Sequence, residues 1–463
     1  MGQPKSYSTS INHEIDALLD LISTSTREAV AEYVKSGAGV PSVNAVNAHP
    51  LDEALDGLAL KRAIRTLEGA CERLCTTLAQ PMHTMRSMPQ EAPCMRFAIE
   101  NRIADILESF PNGLHVDEIV SKTENKINPR KLGRIMRLLA TRGCFREVSD
   151  SAFANNRLSL TLLSSNPVSS TILLDTYECL KGANALPESM AIPEYAESET
   201  PNKSAFTYAV RDENINGGLF EWYKRHPEIG ARFDQAMVGW TRTTAAISMV
   251  KGYPWDKLPT GTTVCDIGSG VGAITLALAQ GHPHLRITLQ DLPDPLEQAR
   301  QVWSSNYPQA IEESRISFVT MNFLVESPVP EQDIYYMKHI MHDWPDAEAM
   351  MILKNIAKVM KPSSRVFVHD IVMKHVYTKE EEGTSANVAM ERAPAPLLPN
   401  YGTGSIRNYH QDINMLAMFN AQERTCEEFI QLGAESGLEL VKVWDFAETF
   451  MLEFSLQGSA GDK

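Results

Sequence analysis

The feature that most constrains the fold is the segment VCDIGSGVGAITLALAQ, in which an apolar run leads into a glycine-rich turn and then into a helical pattern. From Gly261 to about Ser455, short strand signals keep alternating with helical ones, which predicts a parallel sheet with helices on both faces. The predicted strands are Thr263–Ile267, Arg286–Gln290, Ile316–Thr320, Asp333–Lys338, Arg365–Asp370, Leu438–Trp444 and Phe450–Phe454. We therefore expect an α/β fold with a Rossmann-like sheet in residues 259–463.

The residues before this sheet are expected to be mainly helical, because their apolar side chains recur at helical spacing. Since 463 residues exceed what one hydrophobic core usually organises, several modules are expected. Residues 1–90 are predicted to form an N-terminal helical extension. Residues 91–165, with a helix over Met95–Phe110 followed by further helices and a hairpin, are predicted to form a winged-helix-like module. Residues 166–258 are predicted to form a helical bridge that lines a pocket, and an insertion over Glu380–Asn408 to form a loop over it.

The acidic composition limits the classes of partner. The chain has 43 Lys and Arg against 58 Asp and Glu, a formal net charge of −15, which would repel a nucleic acid backbone. The sequence contains no run of about 18 apolar residues, so no membrane span is predicted, and the first residues lack the apolar core of a signal peptide. Seven scattered cysteines are typical of reduced thiols. We therefore expect a cytoplasmic protein that binds neither nucleic acid nor membrane.

The glycine-rich turn predicts a ligand site. Gly268 and Gly270 let a ligand approach the backbone closely, and the helix that follows offers free N–H groups. The same spacing, with Asp291 some 20 residues on, also fits a dinucleotide fingerprint. Asp266, however, lies at the strand tip, where a carboxylate binds an ammonium group and repels a pyrophosphate. This favours an adenosyl amino acid, whose ribose hydroxyls Asp291 is placed to accept.

A second group of reactive side chains, in MKHIMHDWPD, follows the fourth predicted strand. His342 is expected beyond the carboxyl end of that strand, where open α/β sheets bind ligands, and an imidazole accepts protons near neutral pH. Two carboxylates are placed to orient it. Asp370 ends the next strand, and Glu423 precedes a helix whose capping box is Thr425 with Glu428.

Two other interpretations fit this segment. In the first, His342 is an ordinary loop histidine that caps a helix or fills space and has no catalytic role. A zinc site at His339 and His342 is disfavoured, because no third ligand has recognisable spacing, and no metal is expected. Asp346 is predicted to cap the helix that follows.

The segments DIGSGVG, LQDLP, MKHIMHDWPD and NAQERTCEEF occur in the order found in class I S-adenosylmethionine-dependent O-methyltransferases. The chain resembles the caffeate and flavonoid type of this family, and in particular its fungal secondary-metabolism branch, from roughly Cys94 to the C terminus. The resemblance implies methyl transfer from S-adenosylmethionine to a phenolic or enolic hydroxyl of a small-molecule acceptor. It also implies a homodimer built on the N-terminal module.

The resemblance further implies roles for individual residues. His342 matches the general base, and Asp370 and Glu423 match the acids that flank it. The implied cofactor contacts are Asp266, Gly268, Gly270, Asp291, Leu292, Asn322, Phe323 and Lys338. The implied substrate pocket contains Trp344, Met415, Phe419 and Asn420. The chain departs from the family in three places: Asp370 stands where glutamate is usual, Ser269 interrupts the glycine run, and Asn322 with Phe323 replaces an Asp-Met pair.

Three alternatives remain open from the sequence. One is an enzyme of the same fold that binds S-adenosylmethionine but catalyses a non-methylating, pericyclase-like reaction. The second is a nicotinamide oxidoreductase, and the third is a winged-helix regulator or scaffold without catalysis. The joint presence of His342, Asp370 and Glu423 favours methyl transfer over the pericyclase-like reaction. Asp266 and the lack of a recognisable hydride-partner motif disfavour the oxidoreductase, and the acidic composition disfavours the regulator.

Overall fold

A computed structural model describes residues 9–52, 57–79, 91–215, 217–243, 245–377 and 390–458. The chain divides into two compact units. The first comprises Met1–Thr243 with Ala417–Asn420, and the second comprises Thr244–Leu416 with Ala421–Lys463. The finer division into four segments, inferred above, stays a prediction.

The first unit is mainly helical, as the spacing of its apolar residues predicts. Its α-helices are Thr9–Lys35, Leu58–Leu78, Glu91–Glu100, Ile103–Glu108, Val116–Lys122, Pro129–Thr141, Pro167–Leu174, Leu180–Asn184, Leu186–Ser189, Pro193–Ala196, Ala205–Ala209, Leu219–Arg225 and Pro227–Thr243. The first two helices pack against each other through Ala29, Leu60 and Ala63. A π-helical segment, Asp175–Cys179, interrupts the later helices.

The first unit also contains a small three-stranded antiparallel sheet. Its strands β1 (Leu114–His115), β2 (Arg146–Ser149) and β3 (Ala152–Ala154) pair in the order β1-β3-β2. The single helix expected over Met95–Phe110 is wrong, because two helices separate at Arg102, whose φ of 52° is left-handed. Both the side chain and the backbone N–H of Asn101 donate to the Phe97 carbonyl, at 2.9 and 3.1 Å, in the last turn before this break.

The second unit contains the predicted sheet. Its strands are β4 (Thr263–Ile267), β5 (Arg286–Asp291), β6 (Ile316–Thr320), β7 (Ile334–Lys338), β8 (Arg365–Asp370), β11 (Leu438–Asp445) and β12 (Phe450–Leu456), and a separate parallel ladder joins β9 (Val372–Met373) to β10 (Arg424–Thr425). The order is β11-β12-β8-β7-β4-β5-β6. The predicted parallel arrangement is found for β8, β7, β4, β5 and β6, whereas β12 runs antiparallel to both β8 and β11.

Both faces of this sheet are buried. Neighbouring residues of one strand, Val264 and Cys265, belong to two different hydrophobic cores, as do Tyr335 and Tyr336. Successive side chains of a strand point to opposite faces, so each face carries its own core. The α-helices of this unit are Met249–Gly252, Ala273–Gly281, Pro293–Asn306, Pro308–Glu312, Asp346–Ala357, Ile406–Phe419, whose last three residues group with the first unit, and Cys426–Glu435.

The helix starts near the site test two local predictions. The capping box of Thr425 and Glu428 is confirmed, because each side chain bonds to the other residue's backbone N–H. The prediction that Asp346 is an N-cap is wrong: Pro345 holds that position and Asp346 is the first helical residue. Its carboxylate instead accepts hydrogen bonds from Arg424.

Two further expectations concern the whole chain. None of the helices in the described ranges has the length and apolar character needed to cross a membrane. The predicted insertion at 380–408 lies partly outside the described residues, so its role as a loop over the pocket stays a prediction. Its described end contains a short 3-10 helix, Gly402–Ser405.

Candidate active site

Four parallel strands bring the predicted site residues to one edge of the sheet. The strands β5, β4, β7 and β8 are neighbours and run in the same direction, so their carboxyl ends lie side by side. Asp291, Lys338 and Asp370 are the last residues of β5, β7 and β8. This is the edge at which open α/β sheets bind ligands.

The glycine-rich turn after β4 leaves room for a ligand at one position. Gly268 has a φ of 66°, and a Cβ there would lie 2.4 Å from Ile340 Cδ1, so the backbone needs glycine for both conformation and space. A Cβ at Gly270 would have no atom within 4 Å. The backbone at Gly270 therefore faces open space.

Two carboxylates border this turn. Asp291 accepts hydrogen bonds from the backbone N–H groups of Gly270 and Leu292, both at 2.7 Å. Asp266 is only 5% exposed and accepts from the Thr275 hydroxyl at 2.8 Å. Burial raises the pKa of Asp266 to about 7, against the Thr275 hydrogen bond and the charge of Lys338. A bound ammonium group would offset this burial and keep the carboxylate ionised.

Lys338 lies between two acids. Burial lowers the pKa of Lys338 to about 8, while the charges of Asp370 and Asp266 oppose that change. The positive charge of Lys338 therefore interacts with Asp266, on the cofactor side of the site, and with Asp370, on the side of the histidine loop that follows β7.

The remaining predicted cofactor residues occupy the loops after β5 and β6. Leu292 is 50% exposed, which is unusual for a leucine and leaves an apolar surface beside Asp291. Asn322 closes a local turn, because its side-chain oxygen accepts from Leu324 N–H at 3.1 Å. Phe323 packs edge-on against Trp344, with ring centroids 5.8 Å apart. Phe323 and Leu292 thus supply apolar surface, whereas the oxygen of Asn322 is already engaged.

A histidine–carboxylate pair forms the centre of the site. His342 lies in a short 3-10 helix, Met341–Asp343, after β7. Its Nδ1 is 2.8 Å from Glu423 Oε1, and its Nε2 is 3.6 Å from Asp343 Oδ1. Because an ionised Glu423 accepts, Nδ1 carries the proton and Nε2 is the basic nitrogen.

The charges around His342 make it a stronger base. Burial alone lowers the pKa of an imidazole, but the nearby carboxylates of Glu423 and Asp343 outweigh burial and raise the pKa of His342 to about 10. Burial also raises the pKa of Glu423, while the charge of His342 lowers it. The pair therefore favours a proton on the imidazole.

The structure gives the two predicted acids different partners. Glu423 bonds to His342, whereas Asp370 Oδ1 lies 3.3 Å from Nδ1 of another ring, that of His339. Of the two acids expected to orient His342, Glu423 therefore makes the direct contact, and Asp370 contacts the neighbouring histidine. An aspartate reaches one carbon less far than the glutamate usual in the family, and here it acts on His342 through its charge alone.

Sequence reasoning missed one residue that positions the histidine. Arg424 is fully buried and donates to the carbonyls of Met341 and Trp344, on either side of His342, and to Asp346 at 2.8 and 3.0 Å. The guanidinium thereby holds the loop that carries His342. The sequence signal that could have pointed to Arg424 is its position directly after Glu423 in the segment NAQERT.

The predicted pocket residues divide between the two units. In the second unit, Met415 is buried and its carbonyl accepts from Ala421 N–H at 3.2 Å. In the first unit, Phe419 packs on Phe220 with ring centroids 5.8 Å apart. Asn420 donates from Nδ2 to the carbonyls of Ser198 and Thr200 at 3.0 and 2.9 Å, so its amide nitrogen supports the backbone.

Known proteins carry the same two domains. Residues 198–394 match the O-methyltransferase domain family, and residues 90–165 match the O-methyltransferase dimerisation domain. The chain is 38% identical over 447 residues to 3-O-methyltransferase 2 of the fungus Phanerochaete chrysosporium, covering 95% of this chain and 97% of that protein. The chain therefore belongs to the S-adenosylmethionine-dependent O-methyltransferases, which excludes the oxidoreductase and the non-catalytic regulator left open by the sequence.

Solved structures share the fold. Mitomycin 7-O-methyltransferase MmcR is 23% identical with a TM-score of 0.62, over 83% of this chain and 99% of that one. A protein described as a pericyclic reaction enzyme is 21% identical with a TM-score of 0.68, over 85% and 94%. Since both kinds of enzyme have this fold, the fold alone does not decide between the two reactions. The side chains of the site must do so.

The cofactor of this family fits the residues at the sheet edge. The open space at Gly270, the buried carboxylate of Asp266 and the carboxylate of Asp291 suit a backbone-facing ligand with an ammonium group and ribose hydroxyls. S-adenosylmethionine has both groups, and Leu292 offers apolar surface for its adenine.

Proposed function

We propose that His342 is the general base of this O-methyltransferase and that its acceptor is a phenolic or enolic hydroxyl of a small secondary metabolite. The observation that carries the proposal is the 2.8 Å contact between His342 Nδ1 and Glu423 Oε1. An imidazole held by a carboxylate through one nitrogen presents the other nitrogen as a base of defined tautomer. A pericyclic reaction has no need of such a base.

S-adenosylmethionine, when bound, supplies an electrophilic methyl group. His342 Nε2 takes the proton of the acceptor hydroxyl, and Glu423 stabilises the imidazolium that results. The carboxylates raise the pKa of His342 to about 10, close to that of an ordinary phenol, so proton transfer to the neutral imidazole is nearly balanced in energy, although this neutral form is the minor one at neutral pH. A base matched in this way contributes roughly 100-fold or more to the rate.

The other side chains position the reactants in this proposal. Asp266 binds the ammonium group of the cofactor, and Asp291 accepts from its ribose. Arg424 keeps the His342 loop in place through the carbonyls of Met341 and Trp344. Within the second unit, the side chains of Trp344 and Met415 suit a planar acceptor, since apolar pockets with few polar groups bind such ligands.

We further propose that the enzyme is a cytoplasmic homodimer. The match of residues 90–165 to a dimerisation domain supports the dimer. All seven cysteines are free thiols, including the exposed Cys71 and Cys75, which supports a reducing compartment. Sedimentation equilibrium of the purified chain tests the dimer, and a monomer at micromolar concentration contradicts it.

The base assignment is tested with His342→Ala. The purified enzyme is incubated with S-adenosylmethionine and a panel of phenolic polyketides, and S-adenosylhomocysteine and methylated product are quantified by mass spectrometry. We expect the variant to lose roughly 100-fold or more in turnover while its cofactor affinity, measured by calorimetry, stays unchanged. The control is His375→Ala, which removes an exposed histidine of the same unit.

Two outcomes would contradict the proposal. Unchanged turnover in His342→Ala refutes the base assignment. An isomerised product formed without S-adenosylhomocysteine, by the wild-type enzyme with cofactor bound, favours the pericyclase-like alternative.

A further inference from the structure

Three side chains with metal-binding atoms, one of them the proposed base His342, lie close together. A nitrogen of His339, a nitrogen of His342 and a carboxylate oxygen of Asp370 all lie within 4.8 Å of one another. The sequence offered the two histidines, three residues apart, but no third ligand at a recognisable spacing. The third ligand comes from β8, which the sheet places next to β7.

The cluster contains buried polar atoms that no described group satisfies. Neither ring nitrogen of His339 and neither carboxylate oxygen of Asp370 has a hydrogen-bond partner. Their side chains are 9% and 1% exposed, and the 3.3 Å contact between them lacks hydrogen-bond geometry. Unsatisfied buried groups are costly and rare, and a ligand or ion that joins them removes the cost.

The charges around the cluster favour a cation. Asp370, Asp343 and Glu423 are the carboxylates that act on His342. Lys338 opposes them with one positive charge, and the charge of Arg424 is offset by its ion pair with Asp346 at 2.8 Å. With the imidazolium of His342 counted beside Lys338, three negative charges against two leave the cluster with a net charge of −1.

The orientation of His342 also suits a metal. Glu423 occupies Nδ1, whereas Nε2 makes only a longer contact of 3.6 Å with Asp343 Oδ1 among the described residues, which is beyond hydrogen-bond distance. Histidines that bind metals almost always donate their second ring nitrogen to a carboxylate or carbonyl in this way, which fixes the tautomer. Two imidazoles and one carboxylate are a donor set typical of zinc, with a fourth position open to water.

We propose that His339, His342 and Asp370 bind a zinc ion, and that the bound ion inhibits methyl transfer. The lone pair of His342 Nε2 either takes the acceptor proton or binds zinc, so one excludes the other. The inhibition rests on the proposed function of His342, whereas zinc binding does not depend on it.

Binding is measured on the full chain after removal of metal with a chelator. Zinc is titrated in competition with a chromophoric chelator, and cobalt is titrated with absorption spectroscopy, because tetrahedral cobalt sites have intense visible bands. We expect one ion per chain. His339→Asn and Asp370→Asn each remove a ligand, and asparagine tolerates the left-handed φ of 53° at position 339.

The variants should form a graded series. Glu423→Gln, which removes only the carboxylate behind His342, should weaken zinc binding about 10- to 100-fold. His339→Asn and Asp370→Asn should weaken it at least as much, and the exposed control His375→Ala should leave it unchanged. Affinity that is equal in wild type and in both ligand variants, or the absence of stoichiometric binding to wild type, overturns the site.

The second readout is the zinc dependence of turnover. Zinc should inhibit the wild-type enzyme, a chelator should restore activity, and the inhibited fraction should fall in His339→Asn at the same zinc concentration. An increase of wild-type turnover with zinc overturns the inhibition. If the wild type methylates no acceptor, the proposed function fails, and the binding series still decides whether the zinc site exists.

Discussion

Replacing Glu423 by glutamine tests the electrostatics of the site most directly. The substitution keeps the size of the side chain and removes the charge 2.8 Å from His342 Nδ1. The rise in the pKa of His342 from 6.5 to about 10 corresponds to roughly 5 kcal/mol of stabilisation of the imidazolium. Glu423 shares this with Asp343 and Asp370, and the loss of one adjacent charge should lower the pKa by about 1–3.

The raised pKa of His342 determines how turnover depends on pH. Because carboxylates raise the pKa of His342, the neutral imidazole that acts as base is scarce at neutral pH, and kcat/KM of the wild type should rise with pH through that range. With the pKa lowered in Glu423→Gln, the rise should occur at lower pH. The glutamine amide also donates to Nδ1 in one orientation, which moves the proton to Nε2 and disables the base. We therefore expect kcat to fall by about 100-fold or more.

The assay is the pH dependence of kcat/KM and kcat, with cofactor affinity measured separately by calorimetry. Glu427→Gln is the matched control, since it removes an exposed carboxylate from the first turn of the neighbouring helix. A Glu423→Gln enzyme with the wild-type pH profile and turnover would refute the reasoning that Glu423 tunes His342.

Two predictions concern the loops that carry the site. Gly272→Ala should destabilise the protein by about 1–3 kcal/mol more than Gly437→Ala, as measured by urea denaturation. Both glycines have a left-handed φ, but only at Gly272 would a Cβ clash, since it would lie 2.3 Å from Leu289 Cδ2. Equal losses of stability in the two variants would contradict this packing argument. Arg424→Lys should lower the free energy of unfolding by about 2–3 kcal/mol and reduce turnover, since lysine cannot bond to Asp346 and to both loop carbonyls at once. The control Arg286→Lys, at an exposed position, should change neither stability nor turnover. Wild-type turnover in Arg424→Lys would show that the loop does not need the guanidinium.

Much of the second unit could be predicted from local sequence. Each strand of the seven-stranded sheet was expected within two residues of its bounds, because buried strands between glycine-rich turns and amphipathic helices are continuous apolar runs, whereas the two-residue strands β9 and β10 were not predicted. The capping box at Thr425 was predicted correctly, since both partners lie within one helical turn. Local signals failed at Arg102, where a single left-handed residue splits one helical pattern in two.

The sequence by itself determined the class of fold and indicated His342, the histidine that we propose as the base. These depend on the alternation of apolar and polar residues and on motifs whose members are only a few positions apart. Only the tertiary structure decided which carboxylate meets which histidine. Glu423 reaches His342 across 81 positions of the chain, and Asp370 meets His339 because β8 pairs with β7 and its side chain is short. Distances between side chains on different elements follow from sheet order and side-chain length, and no local pattern contains them.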